Sequence, residues 1–274
     1  MLDLAIVGSG PAALTAAIYA TRAGLKVKVF EKGNIGGTLP EISYIENYPG
    51  FLGNGAELAE KFKSQAESLG AEIVYGECEK VESGALVIDG EKIAARAILI
   101  ATGSAPKKLD IAGVTVPISY CALCDGALYK NKRVAVVGGG NSAIQESAYL
   151  AEFASEVAIF SRSKIKANTS AIEKLGKNVT IMENIEVDAN TLNQFDAVFA
   201  FIGKTPATGF LPSELLDDGG FIKTENHQTA ISGIFAAGDV RANTTKQIII
   251  AAADGASATI HIIDFLKKWD KLHE

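Results

Sequence analysis

Cysteine and tryptophan are scarce, with three and one among 274 residues. An odd and low cysteine count excludes a secreted disulfide scaffold. Charge of one sign is not in large excess: 26 Lys and Arg against 32 Asp and Glu leave −6. That mildly acidic balance argues against nucleic-acid or membrane partners. Long uncharged apolar runs are missing too. Leu4 to Val7 is far too short to span a bilayer, and Ile248 to Leu266 is interrupted by Asp254, His261 and Asp264, so it reads as a buried helix of a soluble protein. Met1-Leu2-Asp3 is acidic where a signal peptide is basic, which makes the cytoplasm the expected location. Glycine, in contrast, is abundant at 27 residues, and 48% of the chain is apolar. This is a globular composition rich in tight turns and close backbone approaches. The length allows one large domain or two small ones.

The chain repeats itself at an offset of 130 positions. Leu4-Ala5-Ile6-Val7 runs into Gly8-Ser9-Gly10-Pro11-Ala12-Ala13, and Val134-Ala135-Val136-Val137 runs into Gly138-Gly139-Gly140-Asn141-Ser142-Ala143. Each is a β-branched run, then G-x-G-x-x-A, then an alanine-rich helical segment. In each the next strand ends at the same distance, at Phe30 and at Phe160. This context makes the motif a dinucleotide-binding turn. The first glycine permits the turn, the second lets backbone N–H groups approach a pyrophosphate, and the helix N-terminus faces the phosphates. The next residue separates the copies. Glu31 offers a carboxylate to a ribose diol, whereas Ser161, followed by Arg162, Ser163, Lys164 and Lys166, suits a 2′-phosphate. The two units are therefore expected to hold different dinucleotides.

A second echo pairs Ala97–Pro106 with Ala197–Pro206, each an apolar strand running into G-x-x-P. Continuous apolar strands imply parallel sheets covered on both faces. Gly233–Asp239 is another such strand. Gln247–Lys268 reads as one long helix, with Ile248, Ala252, Ala256, Thr259 and Ile263 on one side. Gly55–Leu69 reads as a helix with Leu58, Phe62 and Leu69 as its apolar face, stopped by Gly70. The expected fold class is α/β.

Cys121-Ala122-Leu123-Cys124 is the only C-x-x-C. Zinc would need two more ligands, and Cys78, His227, His261 and His273 lack ligand spacing, so no metal is expected. Two ordinary thiols are one reading of the pair; a thiol/disulfide couple, catalytic or redox-sensing, is the other. Asp125 can move the proton that disulfide exchange requires, or form an Asp-Gly turn with Gly126. Cys78, between Glu77 and Glu79, has surroundings that disfavour its thiolate and reads as structural.

These motifs together resemble a low-molecular-weight thioredoxin reductase of the pyridine nucleotide-disulfide oxidoreductases. The resemblance rests on Gly8–Ala12, Glu46-Asn47-Tyr48-Pro49-Gly50-Phe51, Ala101-Thr102-Gly103, Cys121–Gly126, Gly138–Ala143, Gly203-x-x-Pro206 and Ala236–Val240. It implies two Rossmann-like, doubly wound parallel-sheet domains, one inserted into the other. An FAD-binding domain would cover 1–112 and 233–274; an NAD(P)H-binding domain over 113–232 would carry the cysteines. It implies a cytoplasmic homodimer that passes electrons from NADPH through FAD to the Cys121–Cys124 pair, and from there to thioredoxin or a thioredoxin-like disulfide protein. By position, Cys124 would face the flavin, Cys121 would attack the partner disulfide, and Asp125 would act as general acid. The implied FAD contacts are Gly8, Gly10, Pro11, Ala12, Glu31, Lys32, Gly36, Gly37, Thr38, Asn47, Ala101, Thr102, Gly103, Gly238, Asp239, Lys246, Gln247 and Ile248. The implied NADPH contacts are Gly138, Gly140, Asn141, Ser142, Ala143, Ser161, Arg162, Ser163, Lys166 and Gly203. The sequence departs from the family pattern where H-R-R-x-x-x-R becomes Ser161-Arg162-Ser163 with Lys164 and Lys166, and where Asn141 replaces the usual Asp. Thr245-Lys246-Gln247-Ile248 stands where the tail pattern is Y-R-Q-A, and the stretch from Met182 to Asp196 is short. These departures keep two alternatives open: ferredoxin or another protein as electron donor, and a flavin-dependent dithiol oxidase.

Overall fold

A computed structural model describes every residue except Ser43 and Glu274. The chain forms two compact units, 1–105 with 205–274, and 106–204. The first is built on a parallel sheet of five strands, in spatial order Glu72–Tyr75, Val27–Glu31, Leu2–Val7, Glu91–Ile100 and Ile234–Ala236. Register is set by continuous apolar pairs such as Ile6 beside Val29 and Leu99, as expected of strands covered on both faces. An antiparallel hairpin, Cys78–Glu82 and Ala85–Ile88, extends the sheet along the outer half of Glu91–Ile100.

One face of this sheet carries the helices Pro11–Arg22, Gly55–Ser68 and Ile248–His273. The first starts with Pro11 at its opening position after an extended Gly10, where a missing N–H costs nothing. It stops at Gly24, whose φ is +80°; Gly24 N donates to Thr21 O and Leu25 N to Ala20 O, closing the orphan carbonyls. Gly55–Ser68 is capped reciprocally: Asn54 Oδ1 accepts from Glu57 N at 2.9 Å, and Asn54 Nδ2 donates to Glu57 Oε1 at 2.8 Å. Its buried face is Leu58, Ala59, Phe62 and Ala66. Leu69, expected on that face, lies past the last turn and is 40% exposed.

Ile248–His273 also differs in phase from the sequence expectation. Ala252 and Thr259 are buried as expected, but Ile248, Ala256 and Ile263 are half-buried, and the seam runs through Ala251, Gly255, Ala258, Ile262 and Leu266. The reason is steric. A Cβ on Gly255 would stand 2.0 Å from Ala12 O, so the phase of the helix is set by its one residue without a side chain at this contact, and the seam continues through Ile262 and Leu266. Ile248–Lys271 is long and apolar enough to cross a membrane by length and composition alone; here its buried face packs on another helix.

The second face of the sheet is covered by the hairpin and by residues 205–222. Leu211 and Ile222 pack with Ile98, Ile100, Ile234 and Val240, and Ile222 N donates to Val240 O. The boundary expected at 232 to 233 therefore falls earlier, at 204 to 205, and that expected at 112 to 113 falls at 105 to 106. Burial decides it: residues 205–232 have their apolar partners in the first unit, while Leu109 and Ile111 have theirs in the second.

The second unit is an all-parallel five-stranded sheet in the order Ile118–Ser119, Ala197–Ala200, Arg133–Val137, Glu156–Ser161 and Val179–Glu183. Asn141–Leu150 covers one face and the short Ala189–Leu192 helps cover the other. Ala189–Leu192 occupies the stretch that the sequence showed to be short.

Candidate active site

The first cradle forms where the sheet strands of the first unit end. Gly8 has φ +100°, and a Cβ there would stand 2.6 Å from Ala101 O, so only glycine lets these strand ends meet. At Gly10 a Cβ would meet nothing within 4 Å. The loop after Glu31 folds back across the turn: Gly36 N donates to Ser9 O at 3.0 Å, and a Cβ on Gly37 would stand 3.4 Å from the Gly10 Cα. Thr38 then leads into the short turn Leu39–Glu41.

Glu31 is fixed before any ligand arrives. Ser9 Oγ donates to its Oε2 at 2.7 Å, and Gly33 N donates to its Oε1 at 2.7 Å. Beside it lies a cavity of about 370 Å³ lined by Gly8, Glu31, Lys32, Cys78, Thr102 and Phe210 among others. A held carboxylate, an open glycine turn and this volume fit the adenosine half of a dinucleotide. Lys32, at the rim, pairs with Glu77 at 3.1 Å. Thr102 Oγ1 donates to Ala207 O at 2.7 Å. Ala207, Gly209 and Phe210 line the cavity as well, although the sequence reading assigned them to the other domain. Cys78 faces the cavity buried, its thiol pushed up to about 11 by burial first and by Glu79 last, so it is protonated and inert at neutral pH.

The flavin end of the expected contacts also converges. Asn47 Nδ2 donates to Gln247 Oε1 at 3.3 Å across 200 positions of sequence. Gly238 sits against the start of the first helix, where a Cβ would stand 2.8 Å from that of Ala12. Lys246 donates to Asp239 O at 2.7 Å and Arg241 O at 3.1 Å, so its ammonium fastens the loop that presents Asp239. Ile248 starts the long helix directly behind.

A node the sequence reading missed holds this turn in place. Asp254 accepts from Gly238 N at 2.6 Å, from Arg241 Nη1 at 2.5 Å, and pairs with His227 Nε2 at 2.9 Å. Burial opposes its charge, but these three partners together lower its pKa from 3.8 to about 2. A carboxyl depressed on folding stabilises the fold above pH ~4 and loses that contribution as pH falls through about 2. The shift corresponds to about 2 kcal/mol. We expect Asp254→Asn to cost about that much at pH 7 and to flatten the acid limb between pH 4 and 2. Urea titrations of both proteins across that range check it; parallel pH profiles would refute the assignment.

The second cradle repeats the first with other side chains. Gly138, at φ +152°, would place a Cβ 2.5 Å from Phe201 O, and Gly140 stands open like Gly10 before the helix Asn141–Leu150, with Ser142 and Ala143 in its first turn. Lys166 N donates to Gly139 O at 2.7 Å, the counterpart of the Gly36 bond. Ser161 is buried, and Ser163 N points at its Oγ from 3.5 Å. Arg162 is exposed on the loop. Asn141 Oδ1 accepts from Asn168 N at 3.0 Å, so Asn141 anchors the loop. Gly203, at φ +108°, lies three residues past the strand Ala197–Ala200, and its carbonyl accepts from Lys107 N.

The dithiol occupies the same unit. Cys121 and Cys124 are disulfide-bonded with Cα atoms 5.3 Å apart; Cys124 lies on the single helical turn Ala122–Asp125, and Cys121 caps it, its Sγ accepting from Cys124 N at 3.1 Å. Cys124 is the more exposed of the two. Asp125 receives a 2.6 Å bond from Ser119 Oγ, and Ser119 Oγ accepts from Cys121 N at 3.2 Å. One serine thus ties the Asp125 carboxyl to the backbone of Cys121. Glu146 Oε2 accepts from Ala122 N at 3.1 Å, and burial raises its pKa above the ordinary value. Ser119 and Glu146 carry no motif. Among the described residues no group of three or more His, Cys, Asp or Glu could hold a metal; the His273 side chain lies outside them.

Residues 2–255 match the model of the pyridine nucleotide-disulphide oxidoreductase family. A thioredoxin reductase of Listeria monocytogenes is 40% identical over 290 aligned positions, covering 93% of this chain and 91% of its own. The crystal structure of the Streptococcus pyogenes thioredoxin reductase superposes with TM-score 0.86 at 33% identity, over 98% of this chain and 99% of its own. A ferredoxin-flavin thioredoxin reductase of Clostridium acetobutylicum superposes with TM-score 0.57 at 30% identity, over 98% of both chains. The chain belongs to the pyridine nucleotide-disulphide oxidoreductase family and stands among its thioredoxin reductases.

Proposed function

We propose that this chain is a flavoprotein disulfide reductase that carries electrons from NADPH through FAD and the Cys121–Cys124 pair to thioredoxin or a thioredoxin-like protein. The observation that carries the reading is the Cys121–Cys124 disulfide with Asp125 held beside it by Ser119, on a chain whose other unit holds a pre-oriented ribose carboxylate. The first unit is the FAD domain and the second the NADPH domain. Bound FAD supplies a centre that accepts a hydride and passes an electron pair to a disulfide.

The chain's own groups do the rest. Glu31 would hold the adenosine diol, the Gly8–Ala12 turn would receive the pyrophosphate, and Gly238, Asp239 and Gln247 would support the far end. In the reduced pair, Cys121 Sγ attacks one sulfur of the partner disulfide, forming a mixed disulfide and expelling the partner's second sulfur. Cys124 Sγ then attacks Cys121 Sγ, the first partner sulfur leaves, and the Cys121–Cys124 bond is restored. Asp125 delivers a proton to a departing thiolate.

Exposed Ile249, Ile250 and Ile260 on the long helix offer an apolar surface that supports a homodimer, and a working dithiol supports a reducing compartment, the cytoplasm. The donor site has fewer cations than the family pattern, and this observation favours ferredoxin as the second reading. Anaerobic titration of the flavin-loaded protein decides between them. NADPH is expected to bleach the flavin, with NADH less effective. Arg162→Ala is expected to raise the KM for NADPH by about 10–100-fold, the effect of one lost charge-assisted bond, and to leave NADH nearly unchanged. Failure of both coenzymes, with reduction by ferredoxin, would replace the nicotinamide reading. Purified protein that shows no flavin spectrum and takes up no FAD would remove the reading altogether.

A further inference from the structure

The two cradles of this chain serve as internal controls for each other, and they differ in where their acid stands. In the first, the carboxylate is Glu31, at the end of the second strand, and the residue paired with it on the next strand is Tyr75. In the second, the strand end is the buried Ser161, and the residue paired with it on the next strand is Glu183. Glu183 Oε1 accepts from Ile165 N at 2.7 Å. Ile165 lies between Lys164 and Lys166, on the loop that also carries Arg162. An acidic group is therefore fastened to the loop that would receive a 2′-phosphate.

We propose that Glu183 is a specificity-determining residue of the second cradle, whose carboxylate opposes a 2′-phosphate and narrows the preference for NADPH over NADH. The inference rests on the reading of the second unit as the nicotinamide domain. Its bond to Ile165 N pins the loop, and its charge subtracts from the attraction that Arg162 and Lys166 offer an anion. The two roles are separable, because a neutral amide oxygen also accepts from Ile165 N. The carboxylate is exposed, so its effect is moderate and is screened by salt over a Debye length of about 8 Å at physiological ionic strength.

Calorimetric titration of the flavin-loaded protein with adenosine 2′,5′-bisphosphate and with adenosine 5′-monophosphate tests this without turnover. Glu183→Gln is expected to tighten the bisphosphate roughly three- to tenfold at low salt, to leave the monophosphate within about twofold, and to lose most of that gain at 0.5 M salt. Glu183→Ala, which removes the pin as well, is expected to weaken both nucleotides together. An unchanged affinity ratio in Glu183→Gln, with the wild type binding both nucleotides, would overturn the role of Glu183 alone. Absence of any nucleotide binding in wild type and variants would overturn the nicotinamide reading and this inference with it.

Discussion

Serine in place of either Cys121 or Cys124 is expected to abolish reduction of a thioredoxin disulfide while flavin reduction by the donor proceeds at nearly the wild-type rate. Both sulfurs are needed, because one forms the mixed disulfide and the other resolves it. The dithiol lies after the flavin in the electron path, so the earlier step is spared. The expected loss is complete within assay limits, several orders of magnitude. Absorbance distinguishes the two sulfurs. Cys121→Ser should keep the long-wavelength band of a thiolate against the flavin when reduced, and Cys124→Ser should lose it. The reverse pattern would exchange the assigned roles. Equal loss of flavin reduction in both variants would instead place the cysteines before the flavin.

The glycine turn of the first cradle separates folding from flavin binding. Gly8→Ala forces a Cβ to within 2.6 Å of Ala101 O at a φ of +100°, and we expect a loss of about 2–4 kcal/mol in stability together with the flavin. Gly10→Ala meets nothing within 4 Å. Its fold should survive within about 0.5 kcal/mol, yet the methyl occupies the space a pyrophosphate needs, so FAD affinity should fall tenfold or more. Thermal melts and flavin absorbance per mole of protein read the two effects apart. A Gly10→Ala protein that retains full flavin would show that the phosphates do not sit on this turn.

Much of this was legible from residues alone, for identifiable reasons. The cradles announce themselves because glycine is required where strand and helix meet, and requirement leaves a fixed spacing. Cys121 and Cys124 are legible because their chemistry depends on being three apart. Ser9, Ser119 and Asp254 were not, since each acts through a hydrogen bond to a partner that the spacing does not announce, 22 residues away from Ser9 to Glu31 and 27 from His227 to Asp254. The expected face of Gly55–Ser68 rests on its large side chains, whereas Ala59 and Ala66 share the buried side; that of Ile248–His273 is one residue out of phase, because small residues stand on both candidate stripes and only the close approach of Gly255 to Ala12 chooses between them. The unit boundary slipped for a related reason. Gly203–Pro206 echoes Gly103–Pro106 in sequence, but the burial of Leu211 and Ile222 that follows it has no local signature.

The contact of Gly255 with Ala12 has a consequence for how the protein is made. Thr259, one turn further on, donates to Ala16 O across 243 positions, so the helix that follows the Gly8–Gly10 turn is covered by a segment synthesised after the whole second unit. The second unit draws its five strands from residues 118–183 and 197–200, and its pairings close over much shorter loops. It can reach its native state while the earlier strand Leu2–Val7 and helix Pro11–Arg22 still await their cover. The expected folding order is thus the reverse of the synthesis order. The nascent first segment carries an uncovered row of alanines and leucines through the translation of the insert, and on the proposed reading FAD is expected to load only after residues 248–262 have emerged and closed over Ala12.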